Sequence, residues 1–231
     1  MLFKQLFDTK SSTYTYIVSS GKGREALIID PVIENTDEYI SVLKNLDLKL
    51  VKVIDTHIHA DQISGLNELS KRTKCSKIMG EHSSSEVVDI HVKDNEKIKI
   101  ENIELISIYT PGHTDCSYSF LMNDRVFTGD TLLINSTGRT DFQSGNSHDA
   151  YDSLFKKLLK LPEKTLVYPA HDYNGKKYST IENEKNNNPR LQVKSAEEYA
   201  EIMDNLNLEN PEMMDIAVPA NIKGFTLNQI N

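Results

Sequence analysis

Four β-rich runs in this chain each end on a residue able to bind a metal, and that repeated placement constrains the fold more than any other feature. "KLVKVID" leads into "THIHADQ", which carries His57, His59 and Asp61. "IELISIYT" leads into "PGHTD" with His113, "DRVFTGD" ends on Asp130, and "KTLVYPAHD" ends on His171 and Asp172. Loops at one edge of a sheet converge on a single pocket, which is how rigid scaffolds usually present chemistry. The sequence therefore demands a sheet-based fold in which four strand ends share an edge.

The remaining elements fit that demand. "TYTYIVSS" alternates, "GKG" turns, and "EALIID" is a buried run ending at Asp-Pro, so the first thirty residues read as short strands. A helix is expected from Thr36, with Ile40, Leu43 and Leu46 at helical spacing and Asn35 with Glu38 as its capping pair. A second helix falls near residues 63–71, followed by strands at "SKIMG", "EKIKI" and "SYSFLM". Tyr151, Leu154, Phe155, Leu158 and Leu159 form an i, i+3, i+4, i+7, i+8 stripe and predict a third helix. From Tyr178 to about Leu208 the chain is charged and amphipathic, which predicts two more. No repeat or linker interrupts it, so residues 1–231 read as one domain with a helical C-terminal appendage over about 178–231.

Composition narrows the function classes. A net charge of −8 argues against a nucleic-acid face, which is basic, but leaves room for a small anionic substrate wherever a few cations gather. No apolar run approaches the roughly 20 residues of a membrane span, and "MLFKQLFDTK" lacks a secretory pattern. The expectation is a soluble, cytoplasmic protein with neither membrane nor nucleic-acid partner. Cys75 and Cys116 are too few for a disulfide framework and read as buried thiols. Of the seven histidines, His82, His91 and His148 have no second ligand nearby in sequence and read as solvated surface residues. The strand-end set is different. Two imidazoles and a carboxylate with open positions suit non-haem Fe(II) oxygenases, and three protein ligands with one open position suit catalytic zinc. Residue types alone leave both open.

At this point a resemblance enters. "THIHAD", "TPGHTD", "FTGDTLL" and "YPAHDYNG" resemble, in order, the metal motifs of the metallo-β-lactamase fold. "TYTYIV", "GRTDFQSG", "TIENEKNNNPRL", "IMDNLNL" and "AVPAN" resemble the glutathione-dependent persulfide dioxygenases, also called sulfur dioxygenases. The likeness runs from about Leu2 to Asn221. It implies an α/β fold, an αββα sandwich of two sheets between helices with the metal at one edge. It implies one Fe(II) per chain held by His57, His113 and Asp130, which makes these three the catalytic centre. The implied reaction oxidises glutathione persulfide with O₂ and water to sulfite and glutathione, and the implied assembly is a homodimer.

One position departs from the pattern. In the related glyoxalase II hydrolases a second metal would take the residues matching Asp61, Gln62 and His171, with Asp130 as a bridge. The motif there ends in histidine, as it also does in persulfide dioxygenases, and an amide is a poor replacement for imidazole. A two-metal hydrolase tolerates Gln62 badly and a one-metal oxygenase tolerates it well. The rival readings are therefore a glyoxalase II-type thioester hydrolase, disfavoured by Gln62, and a non-catalytic glutathione binder, disfavoured by the intact triad. His59, Asp61, Gln62, Thr114, His171 and Asp172 are expected around the metal ligands, with direct ligation by His59, Asp61 or His171 left open. Arg139 in "GRTDFQ" is the leading partner for a glutathione carboxylate, with Asp141 orienting it or capping the turn. Tyr173 follows the family motif beside the pocket, and Lys176, Lys177 and Arg190 would add positive charge. Met203, Leu206 and Leu208 either cover the core or meet a second subunit, core packing being the expectation.

Overall fold

The computed structural model describes residues 1–230. Strands β1 (Leu2–Asp8), β2 (Thr13–Ser19), β3 (Glu25–Ile29), β4 (Lys49–Ile54), β5 (Ser76–Gly80) and β6 (Ile90–Val92) pair in that order as one six-stranded sheet. The second sheet uses β7 (Lys97–Ile100), β8 (Ile103–Tyr109), β9 (Tyr118–Leu121) and β10 (Arg125–Gly129). A short hairpin, β11 (Leu132–Leu133) with β12 (Ser136–Thr137), intervenes before β13 (Leu166–Pro169) and β14 (Ser179–Thr180) complete that sheet in the order β14-β13-β10-β9-β8-β7. Strands covered on both faces, such as β2 and β10, are buried along their whole length, whereas β8 and β7 alternate.

Three apolar layers follow. Tyr16, Leu27 and Ile54 of the first sheet face Leu105, Phe120 and Phe127 of the second across the central core. On the outer face of the first sheet, Tyr39 and Leu43 of α1 (Thr36–Asn45) and Leu66 and Leu69 of α2 (Leu66–Thr73) pack on Ile17, Ile28 and Val53. On the outer face of the second, Leu154 and Leu158 cover Val126 and Val167 together with Tyr199 of α5 (Ala196–Asp204). The architecture is the expected αββα sandwich.

Topology explains why the strand ends meet. β3 and β4 run parallel, as do β10 and β13, and β8 is antiparallel to β9, which is antiparallel to β10. The C-terminal ends of β8, β10 and β13 therefore leave the second sheet at one edge, and those of β3 and β4 leave the first sheet together.

Local expectations met mixed outcomes. The stripe from Tyr151 to Leu159 is buried at Leu154, Leu158 and Leu159, but only α3 (Ser147–Asp152) is α-helical; a π-helical turn spans Ser153–Lys157 and a 3₁₀ turn Leu158–Lys160. Asn35 does not cap α1. Its side chain donates instead to Asp8 Oδ1 at 3.1 Å, a tertiary partner that the local pattern cannot reveal. Strand β6, carrying His91, was not expected. The C-terminal segment supplies α4 (Ile181–Asn187), α5, α6 (Met214–Lys223) and α7 (Leu227–Ile230). It is interleaved with the sandwich rather than appended to it: β14 extends the second sheet, α5 packs on α3, and Ala217 and Ala220 of α6 sit against Ile33 and Ile63. Met203 is in the core, Leu206 packs against it, and Leu208 is exposed. Among the described residues no helix is long and apolar enough to cross a membrane.

Candidate metal centre

His57 follows β4, His113 follows β8 and Asp130 follows β10. One ligand atom from each lies within 4.8 Å of the other two. The rings of His57 and His113 meet edge to face at 5.0 Å, and His113 Nε2 is 3.6 Å from Asp130 Oδ2. Each imidazole is turned by a bond at its far nitrogen. His113 Nδ1–H donates to the Arg139 carbonyl at 2.8 Å, which leaves the lone pair on Nε2, the nitrogen that could face a metal. His57 Nδ1 is 3.0 Å from Thr56 Oγ1, whose own hydroxyl donates to Asp30 Oδ2 at 3.0 Å, so the His57 lone pair is on Nε2. Such partners fix the tautomer and raise the basicity of the ligand nitrogen.

Two glycines permit this approach. Gly129 has φ +52°, in the left-handed region, and a Cβ there would stand 2.7 Å from Thr56 Oγ1. At Gly138 a Cβ would collide with the Asp130 carbonyl and stand 2.9 Å from His113 Nδ1, at the point where the chain bends to offer the Arg139 carbonyl.

The outer residues divide into those that reach the ligands and those that do not. His171 Nδ1–H donates to Asp130 Oδ1 at 2.7 Å, while Nε2 lies 2.5 Å from Asp61 Oδ2 and 3.0 Å from Thr13 Oγ1. Burial disfavours the His171 charge, but Asp130 and Asp61 outweigh it and hold this imidazole well above its ordinary range. Asp130 is the counterpart: burial works against its carboxylate, and His171, His113 and His57 outweigh burial and keep it far below the usual carboxylate range. His57 is pulled well below its ordinary value by burial first and by His59 next, which suits a neutral ligand. His59 is fully buried, and its Nε2 faces Asp30 Oδ1 at 3.3 Å; burial lowers it, the Asp30 hydrogen bond and charge raise it, and it rests at about 9. Its Nδ1 has no hydrogen-bond partner among the described residues.

Gln62 is buried, and its two amide atoms have no partner among the described residues. Thr114 does not reach the triad; its hydroxyl bonds Ser117 Oγ at 2.7 Å and closes the turn after His113. Asp172 is buried and caps the next loop, accepting from the amides of Asn174 and Lys176.

The cavity has a volume of about 300 Å³, and its wall includes Asp61, His113, Asp130 and His171 beside the apolar Leu133 and Phe142. Of the residues expected to meet substrate, Arg139, Tyr173 and Arg190 line it, whereas Asp141 and the exposed Lys176 do not. Tyr173 lies parallel to the His171 ring with centroids 6.2 Å apart. Arg139 does not present a free fork: Nε and Nη2 each donate to Asp141 at 2.6 Å, and Nη1 donates to the Glu209 carbonyl at 2.7 Å. Asp141 thus orients Arg139, and Arg139 pins the loop whose Leu208 and Pro211 close the cavity. Arg190 is half-buried, its recorded side-chain hydrogen bond goes to the Thr137 carbonyl, and burial lowers its pKa. It carries no ion pair among the described residues.

Sequence reasoning missed Asp30, Thr56, Gln143 and Asn221. Asp30 accepts from the Thr56 amide at 2.7 Å and from its hydroxyl, and faces His59 as well. The signal was present, since "EALIID" also ends a strand on a carboxylate.

Comparison with known proteins agrees with this geometry. Residues 8–171 match the model of the metallo-beta-lactamase superfamily. The mitochondrial persulfide dioxygenase ETHE1 of Mus musculus is 42% identical over 226 residues, covering 96% of this chain and 88% of that protein. The hydroxyacylglutathione hydrolase of Dictyostelium discoideum is 32% identical over 187 residues, covering 75% of this chain and 68% of that protein. The crystal structure of ETHE1 from Myxococcus xanthus superposes with a TM-score of 0.94 at 45% identity, covering 96% of this chain and 98% of that one. With two imidazoles and a carboxylate brought to one sheet edge, the chain belongs to the metallo-beta-lactamase superfamily and, within it, to the persulfide dioxygenases.

Proposed function

We propose that this protein oxidises glutathione persulfide with O₂ and water, giving sulfite and glutathione. The S–S bond breaks, the terminal sulfur is oxidised by four electrons, O₂ takes up those four electrons, and the protons released pass to solvent. The donor set of His57, His113 and Asp130 carries the reading, because two neutral imidazoles and one carboxylate fit a single Fe(II) per chain. Bound there, iron supplies the redox chemistry with O₂, since three protein ligands leave positions open. The chain's own residues do the rest. Thr56 and the Arg139 carbonyl orient the two imidazoles, and His171 holds a proton at Nδ1 against Asp130, which keeps that carboxylate charged and fixed. The His171 charge also offsets the carboxylates at the cavity wall, where a persulfide anion must approach.

Arg190 is the proposed anchor for a substrate carboxylate, in preference to Arg139, whose donors are already engaged. Arg190→Ala is expected to raise KM for glutathione persulfide about 10–100-fold with kcat within a factor of three, as loss of one charged hydrogen-bond pair implies. Steady-state kinetics check this, and an unchanged KM would move the anchor elsewhere.

A thioester hydrolase is the second reading, favoured by the likeness to hydroxyacylglutathione hydrolases. Gln62 weighs against it, since it puts an amide where a second metal would take an imidazole. The deciding experiment is O₂ uptake by anaerobically Fe(II)-loaded protein given glutathione persulfide, with sulfite assayed alongside. Uptake matched by sulfite supports the dioxygenase; no uptake, but cleavage of a lactoyl-glutathione thioester, establishes the hydrolase. Cytoplasmic location and a homodimer belong to the same proposal and are checked by fractionation and by sedimentation; the Mus musculus relative is mitochondrial by name.

A further inference from the structure

The loop from Thr56 to Ser64 carries His57 and Asp61 and contains neither helix nor regular strand, so its backbone groups need partners from elsewhere. Its first half is held from three separate parts of the chain: the Thr56 amide by Asp30, the Thr56 carbonyl by the Tyr118 amide at 2.9 Å, and the Ile58 carbonyl by Gln143 Nε2 at 3.0 Å. Its second half is held by the Ile33 amide, which donates to the Ile63 carbonyl at 2.9 Å, and by one side chain from the far end of the sequence. Asn221, on α6, donates through Nδ2 to the carbonyls of His59 and Gln62, both at 2.9 Å, and its Oδ1 accepts the Ser64 amide at 2.8 Å. Both N–H groups and the carbonyl of this amide are thus spent on the metal loop. The residue is 9% exposed, and its own backbone carbonyl accepts from Ser85 Oγ at 3.3 Å, which fixes the helix that presents it.

The two carbonyls that Asn221 holds flank Asp61. Asp61 meets His171 Nε2, and His171 Nδ1–H bonds Asp130. We propose that Asn221 is a positioning residue for the metal centre, acting through the His59–Ser64 backbone, Asp61 and His171 on the ligand Asp130. The C-terminal helix then sets metal affinity as well as covering the core. A side chain matching three backbone groups in this way is more than α6 needs for packing, which Ala217 and Ala220 already supply. The inference rests on the metal-dependent reading of the site but not on the identity of the substrate.

The test measures Fe(II) dissociation constants by anaerobic competition with a chelator, and the absorption spectrum of the Co(II)-loaded protein as a report on ligand geometry. Asn221→Ala is expected to weaken Fe(II) binding about 10–100-fold, as loss of an outer partner does, and to shift the Co(II) bands. Asn221→Asp keeps the shape and the acceptor for Ser64 but sets a carboxylate against two carbonyls, and should weaken binding as much. Val218→Ala, also on α6 but off the loop, should lower Tm while leaving Fe(II) affinity within twofold. An Asn221→Ala protein with unaltered affinity and spectrum would overturn the inference, as would a Val218→Ala loss of equal size. Should neither Asn221 variant fold, hydrogen exchange on metal-free wild type decides: a protected Ser64 amide supports the clamp, and exchange at open-loop rates rejects it. Wild type that binds no Fe(II) would instead sink the proposed function.

Discussion

Asp130→Asn protein is expected to purify folded, with Fe(II) content below a tenth of wild type and persulfide oxidation reduced about a thousandfold. Asp130 is the one carboxylate in the triad, and the two imidazoles beside it are neutral ligands, so an amide leaves the cation with no anionic donor. Several kcal/mol of metal interaction go with that charge, and each 1.4 kcal/mol is a factor of ten. The fold should survive, because asparagine is nearly isosteric and its Oδ1 can still accept from His171 Nδ1. Metal analysis and O₂ uptake, with circular dichroism as the folding control, make the measurement. Full metal content with residual activity near wild type would mean that another carboxylate, Asp61 being the nearest alternative, is the third ligand. Loss of activity with full metal content would point to a role for Asp130 in handling substrate.

How the sequence announced this site, and where it fell silent, has a physical pattern. His57, His113, Asp130 and His171 were legible because each terminates a β-rich run, and parallel strand directions bring such ends to one edge. The partners that aim them were not. Thr56 and Asp30 are 26 residues apart, His113 and Arg139 also 26, and Asn221 reaches back 162 residues to His59. Hydrogen bonds that close such loops leave no period in the sequence. Arg139 shows the opposite failure: a cation in a glycine-flanked loop reads as an anion receptor until Asp141 and the Glu209 carbonyl are seen to take its donors. Gln62 bears on metal count by putting an amide where an imidazole would serve a second metal, and its burial without a partner among the described residues is a tertiary fact that motif spacing does not carry. The Tyr151–Leu159 stripe located three buried side chains and two half-buried ones, Tyr151 and Phe155, and still missed the widened turn, since apolar spacing of three and four does not separate an α-turn from a π-turn over one repeat.

Asp30 is where these hidden bonds concentrate, and Asp30→Ala should be the most damaging substitution outside the triad. Its carboxylate, 1% exposed, accepts from the Thr56 amide and the Thr56 hydroxyl and faces His59 Nε2, and its own backbone sits at φ +50° in the left-handed region. Alanine removes every one of these acceptors at once. The Thr56 hydroxyl then has no reason to face away from His57, so the tautomer that presents Nε2 is no longer enforced. The His59 imidazole, held up at about 9 chiefly by that same carboxylate, is left buried without its nearest counter-charge, with Asp55 and Asp61 as the weaker ones that remain. Breaking a buried charged pair by deleting one partner costs roughly 3–5 kcal/mol, and loss of a ligand's outer partner costs about 10–100-fold in metal affinity. Asp30→Ala is therefore expected to show a Tm lowered by more than ten degrees and Fe(II) binding weakened at least tenfold in whatever folds. Asp30→Asn, which keeps one acceptor, should fall between Asp30→Ala and wild type on both measures. Thermal denaturation followed by circular dichroism, run beside the chelator competition, separates the two effects. If Asp30→Ala melted like wild type and bound Fe(II) equally well, the carboxylate would be a bystander and the orientation of His57 would have to come from the fold around Gly129 alone.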